Sequence, residues 1–281
     1  MPLKLMYITN QPEIALLAEQ NGVDWVFVDL ELNGKVERQG HLDTVISRHA
    51  VRDVSRLRAV LKHAELLVRV NPIFQGSRYE INEVINRGAD VVMLPYYKTV
   101  DEVATFIELV DNRAQVCLLC ETKEAVACMS DVLKLPGIDY VHIGLNDLHL
   151  SYGQRFLFEP LADGTVEAVT RQLQATGIPF GFGGIARIGE GRLPAEKVLG
   201  EHVRLGSSLA ILSRSFCNIG MTGTFDSRQA QLFQEGVWKI RVYEQQLEHA
   251  TPEWLELNRL SLVSTVDAIA TEIQNRKGIL S

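Results

Sequence analysis

Apolar residues come in short blocks along this chain, each followed by an amphipathic stretch. The blocks at 4–8, 24–30, 66–70, 90–94, 115–120 and 140–143 are apolar on successive positions. Strands of a parallel sheet covered by helices on its outer side read this way. Between them the helical period predicts helices over 12–20, 51–63, 79–86, 100–110 and 122–133, with Gly22 and Gly88 placed as stops. A further helix over 164–175 precedes a seventh strand at 178–181 and an eighth at 203–205. The file of β-then-α units predicts an α/β protein, a (β/α)8 TIM barrel over residues 1–220.

The last part of the chain changes character. Two long helical patterns, 226–247 and 254–276, follow with no further strand, so the barrel carries additional C-terminal helices over 221–281. In the second, Thr251 is placed to cap, Pro252 sits in the first turn and Gly278 ends the helix. Leu255, Leu262, Val266, Ile269 and Ile273 recur at helical spacing, so one face needs cover from the barrel or from another subunit. The expectation is burial against a second copy, in a homo-oligomer.

Composition narrows the function. With 281 residues, 46% of them hydrophobic and 22% charged, the chain has the size of one such barrel. A net charge of −7 with no basic block argues against nucleic acid or an anionic membrane as partner. No apolar run reaches the roughly 18 residues that cross a bilayer, and a cytoplasmic protein is expected. Cys117 and Cys120 lie at an odd offset on one strand, which turns their side chains to opposite faces, so the spacing is not a metal or redox pair.

The candidate chemistry sits at strand ends. Glu121 closes the fifth strand and Asp147 follows the sixth, which stops at Gly144 and leads into a polar tail. Hard oxygen ligands at neighbouring strand ends suit Mg²⁺ or Mn²⁺, and each acid is equally placed to cap the helix after it. Arg69 lies within an apolar strand, so its guanidinium must reach a carboxylate. That partner is either a small keto acid, held two-pronged, or Asp29 and Glu31. These two acids share a face at the end of the second strand, where like charges held close raise one pKa. His41 and His49 lie in the long stretch 31–50, with Arg38, Arg48 and Arg52 around them, and either is a candidate base. His142, inside a strand, reads as a core histidine. Gly181, Gly183 and Gly184 read as a tight strand-to-helix turn or a close approach to an anion.

Five segments in order carry a resemblance: DWVFVDLE at 24–31, VRVNP at 68–72, GADVVMLP at 88–95, the Glu121-Thr122 pair, and IDYVHIGLNDL at 138–148. Over residues 4–211 the chain resembles the HpcH/HpaI-type aldolase and citrate lyase beta-subunit family. The resemblance implies a phosphoenolpyruvate/pyruvate-type barrel that binds a divalent metal through Glu121 and Asp147. It implies that Arg69 contacts a 2-keto acid whose carboxylate the amides of Asn146 and Asp147 receive. The implied activity is that of a carbon–carbon lyase of the class II aldolase type, acting through a pyruvate-like enolate. A CoA-thioester lyase of the citrate lyase beta type, or a barrel that binds without turnover, are the alternatives. Two departures bear on the choice. Leu32 stands where the aldolase branch carries a histidine for proton transfer, and Leu119 where it often carries a glutamine. Asn71 of VRVN leans toward the citrate lyase branch. With Leu32 in that place, proton transfer falls to His41 or His49, to the Asp29/Glu31 pair, or to water on the metal.

Overall fold

The computed structural model describes residues 2–32, 49–217 and 225–279. Eight parallel strands pair in sequential order and close into a barrel. They are β1 (Lys4–Ile8), β2 (Trp25–Asp29), β3 (Glu65–Arg69), β4 (Val91–Leu94), β5 (Gln115–Cys120), β6 (Tyr140–Ile143), β7 (Phe180–Ile185) and β8 (Leu209–Leu212). Helices α1 (Pro12–Gln20), α2 (Val51–Arg58), α3 (Ser77–Asn86), α4 (Val100–Val110) and α5 (Lys123–Val132) cover the outside of the first five units.

Strand alternation divides the apolar residues into two cores. Met6, Trp25, Phe27, Leu67, Val91, Met93, Cys117, Leu119 and Leu209 fill the barrel interior. Their neighbours, such as Val26, Val28, Leu66, Val68 and Leu118, face the helices. Cys117 falls in the inner set and Cys120 in the outer one, and both thiols are free. The same parity decides what reaches the mouth. Two steps beyond Phe27 is Asp29, two beyond Leu67 is Arg69, and two beyond Leu119 is Glu121. Polar residues thus top inward-facing apolar columns at the carboxyl ends of three strands, where barrels of this architecture place their sites.

The second half departs from expectation in three places. The tail after β6 is helical, α6 (Leu145–Ser151), and leads to the short α7 (Glu159–Ala162) and to α8 (Thr165–Thr176). The glycines of FGFGGI lie within β7 and do not form a turn; a Cβ on Gly181 would lie 2.1 Å from the Leu209 carbonyl oxygen. Glycine there lets β7 and β8 close the barrel, at a register shift between Gly181 and Gly184. The predicted eighth strand, 203–205, instead spans the carboxyl end of α9 (Ala195–Arg204), and Val203 is exposed; the true β8 is the apolar LAIL that follows two serines.

The chain ends in α10 (Ser227–Leu247) and α11 (Pro252–Ile279). Asp226 caps α10 by accepting from the Gln229 amide at 2.8 Å, and Thr251 Oγ1 accepts from the Trp254 amide at 3.2 Å. Helix α11 runs past Gly278, which does not stop it. Its apolar stripe does not wait for a second subunit. Leu262, Val266 and Ile269 are buried within this chain, where α11 lies on α9 and α7. Among the described residues, no helix is long and apolar enough to cross a membrane.

Candidate active site

The inward residues at the ends of β2 and β3 are paired in the sheet, Asp29 opposite Arg69. Arg69 donates from Nε to Asp29 Oδ1 at 2.9 Å and from Nη2 to Asp29 Oδ2 at 2.8 Å, a two-pronged contact. Glu31 Oε2 lies 3.4 Å from the same Nε. Burial alone would lower the Arg69 pKa, but the Asp29, Glu31 and Glu121 carboxylates overcome it and hold the guanidinium firmly charged. The ion pair expected as one alternative is therefore present, and it leaves Nη1 and the second Nη2 proton for other contacts.

Glu121, one residue past β5, is turned toward the next unit. Its Oε1 accepts from the Tyr96 amide at 3.1 Å. A Cβ on Gly144 would lie 2.8 Å from Glu121 Oε2, so the glycine that ends β6 is the space the carboxylate uses. Gly144 is also the N-cap residue of α6, and Asp147 lies in that helix's first turn. The Glu121 carboxylate thus rests on the helix start that carries Asp147. Asn146 and Asp147 share this first turn, where the helical ladder offers the amides no carbonyl acceptor.

His49 sits beside the same strand end. The Asp29 amide donates to His49 Nδ1 at 3.0 Å. That bond engages the lone pair a base would use, and in the neutral ring the proton is on Nε2, making His49 a donor. His41, Arg38 and Arg48 lie outside the described residues; Arg52 is on the exposed side of α2.

One participant was not anticipated. Arg214, two residues past β8, is partly buried; burial lowers its pKa, Asp29 opposes that effect and Arg69 adds to it. A second arginine therefore shares the mouth with Arg69. Its signal in the sequence was hidden by the misplaced eighth strand. His142 is buried beneath the mouth with Nε2 3.1 Å from the Gly183 carbonyl, to which the neutral ring donates. Burial pushes its pKa down to about 4, so it is a neutral core group as the sequence suggested.

Charge sets the requirement of the site. Asp29, Glu31, Glu121 and Asp147 are each at most 5% exposed. Arg69 and Arg214 lie among them. One or two carboxylates with open positions is the donor set that Mg²⁺ or Mn²⁺ accepts, and Glu121 and Asp147 would offer it. No cluster of three or more His, Cys, Asp or Glu side chains able to hold a metal occurs among the described residues.

Residues 4–160, more than half the chain, match the family model described as HpcH/HpaI aldolase/citrate lyase. This chain belongs to the HpcH/HpaI aldolase/citrate lyase family. No curated protein matches it by sequence. Among solved structures it is similar to an HpcH/HpaI aldolase from Desulfitobacterium hafniense, at 18% identity and a TM-score of 0.61, covering 79% of this chain and 91% of that one. An HpcH/HpaI aldolase/citrate lyase family protein from Burkholderia cenocepacia J2315 gives 17% identity and a TM-score of 0.59, over 88% and 93% of the two chains. The citrate synthase SbnG gives 16% identity and a TM-score of 0.58, over 84% and 95%. These HpcH/HpaI likenesses carry the barrel fold.

Proposed function

We propose that this protein is a metal-dependent carbon–carbon lyase of the class II aldolase type, acting on a 2-keto acid. The observation that carries the reading is the convergence of four buried carboxylates and two arginines at one barrel mouth. Glu121 and Asp147 would hold the divalent cation. When bound, the cation supplies Lewis-acid stabilisation to an oxygen that becomes negative. Arg69, fixed by Asp29 along one edge, presents its remaining N–H groups to the keto-acid carboxylate. The first-turn amides of Asn146 and Asp147 receive the other carboxylate oxygen.

Proton transfer is assigned to the strand end of β2. Asp29 accepts two bonds from Arg69, and its Oδ1 also accepts from the Glu31 amide at 3.2 Å. Asp29 is thus held as the partner that orients Arg69, and Glu31 takes the role of acceptor. In the cleavage direction the substrate hydroxyl gives its proton to the Glu31 carboxylate. Its O–H electron pair becomes the carbonyl of the departing aldehyde, and the carbon–carbon bond pair passes to the keto-acid fragment as an enolate. That enolate takes the proton back from the Glu31 carboxyl at carbon, which restores the carboxylate, and leaves as pyruvate or a homologue.

Thermal stability measured with Mg²⁺ or Mn²⁺, with pyruvate or oxalate, and with both together tests the reading. A gain in melting temperature that needs metal and ligand at once is expected. Stabilisation by neither, singly or together, would sink it.

A further inference from the structure

Glu31 owes its place to a side chain on another element. Asn71 lies two residues past β3 and is nearly buried. Its Oδ1 accepts from the Leu32 amide at 2.9 Å, and its Nδ2 approaches the Leu30 carbonyl at 3.4 Å. Leu30 and Leu32 flank Glu31, so one amide side chain holds the backbone on both sides of that carboxylate. The Leu30 amide adds a bond to the Arg69 carbonyl at 2.9 Å.

The orientation of the Asn71 amide is set in turn by Glu80 on α3. Glu80 Oε1 accepts from Asn71 Nδ2 at 2.6 Å, and Oε2 accepts from the Asn71 backbone amide at 3.1 Å. An ionised carboxylate only accepts, so it admits the Nδ2 edge of the amide and repels the Oδ1 edge. Were Asn71 flipped, its oxygen would face Glu80 and its NH2 would face the Leu32 amide, donor against donor. Burial raises the Glu80 pKa, and the two Asn71 donors oppose that rise. A carboxylate half-sunk in a helix–strand seam, with both oxygens on one asparagine, has a local task.

We infer that Glu80 is a positioning residue for the reaction: through Asn71 it fixes the end of β2 and thereby aims Glu31 at the mouth. The inference rests on the lyase reading for its effect on rate, and on hydrogen bonding alone for its effect on structure.

Two readouts keep those apart. The first is hydrogen exchange at the Leu32 amide, which needs no activity. Protection there should fall about tenfold or more in Glu80→Ala and in Asn71→Ala, and by less in Glu80→Gln, which keeps the volume and one acceptor. Unchanged protection in Glu80→Ala overturns the inference; should that variant not fold, unchanged protection in Glu80→Gln does so. The second is deuterium uptake into the pyruvate methyl group. Glu80→Ala should lower kcat by about tenfold with KM within about twofold, since the groups that bind pyruvate are untouched. Adding Asn71→Ala should cost nothing further, because the two act in series. Losses that multiply, or a raised KM at unchanged kcat, overturn it. A wild type with normal Leu32 protection but no exchange into pyruvate counts against the lyase reading and leaves the clamp standing.

Discussion

Arg69 and Asp29 face each other across β2 and β3 and share two parallel hydrogen bonds, at 2.9 and 2.8 Å. The pair makes the arginine rigid before any ligand arrives, which lowers the ordering cost of binding a second carboxylate. Lysine keeps the charge but loses the fork. Arg69→Lys should weaken pyruvate or oxalate binding at least about tenfold, ~1.4 kcal/mol, by calorimetry in the presence of Mn²⁺. Arg69→Met should go further and destabilise the fold by about 3 kcal/mol, since the buried Asp29 loses its two-pronged hydrogen-bonded partner. Equal oxalate affinity in wild type and Arg69→Lys would reduce Arg69 to a structural role.

Glu121→Gln changes one oxygen for a nitrogen and nothing in shape. The Tyr96 amide retains an acceptor in the glutamine carbonyl, so the fold should hold. Metal-dependent thermal stabilisation should disappear. Manganese bound as tightly by the variant as by wild type, followed by electron paramagnetic resonance, would remove Glu121 from the metal site.

The barrel and its mouth were legible because both depend on period-two alternation. Asp29, Arg69 and Glu121 each sit two steps beyond a buried inward residue, a pattern visible before any coordinates. Three things were not. The glycines of β7 resemble a turn until the Leu209 backbone is seen to need their missing side chains. Arg214 was hidden because its strand was assigned too early. The His49 lone pair is engaged by a backbone amide across the strand end, a tertiary contact that no local pattern encodes. The stripe on the last helix was read correctly as buried, but its cover is the chain itself.

Acid should weaken the fold through two interior histidines. Burial lowers His142 to about 4 and His202 to about 3, the latter helped by His142, from an ordinary 6.5. The unfolded chain therefore takes up these protons first as pH falls. Their contribution is whole above about 6.5 and is lost progressively as pH drops toward about 4. Denaturant unfolding at pH 7 and pH 5 should differ by about 1 kcal/mol or more, and His202→Asn should reduce the difference, leaving the His142 part. Identical stability at the two pH values in wild type would mean that these rings are not held neutral.

Subunit association, if it uses the last helix, must use the side turned away from the barrel. Trp254, Leu257 and Leu260 lie there, with Leu257 66% and Leu260 51% exposed. An apolar group of this kind on one helix face is a contact surface in search of cover. Leu257→Glu together with Leu260→Glu should lower the mass seen by light scattering without loss of helix content. An intact protein that is monomeric at micromolar concentration would overturn the expectation of a homo-oligomer.

The course of α11 has a practical corollary for handling the protein. It starts beside α9, where Asn258 donates to the Lys197 carbonyl, and climbs until Glu272 meets Arg192 and Gln274 meets Arg155. Arg155 and Arg192 belong to segments that follow β6 and β7, on the mouth side of the barrel. Anything fused beyond the last helix would therefore leave on the mouth side of the barrel, whereas a tag ahead of β1 would trail from the opposite end. Immobilisation through the amino-terminal side leaves the entrance facing solution.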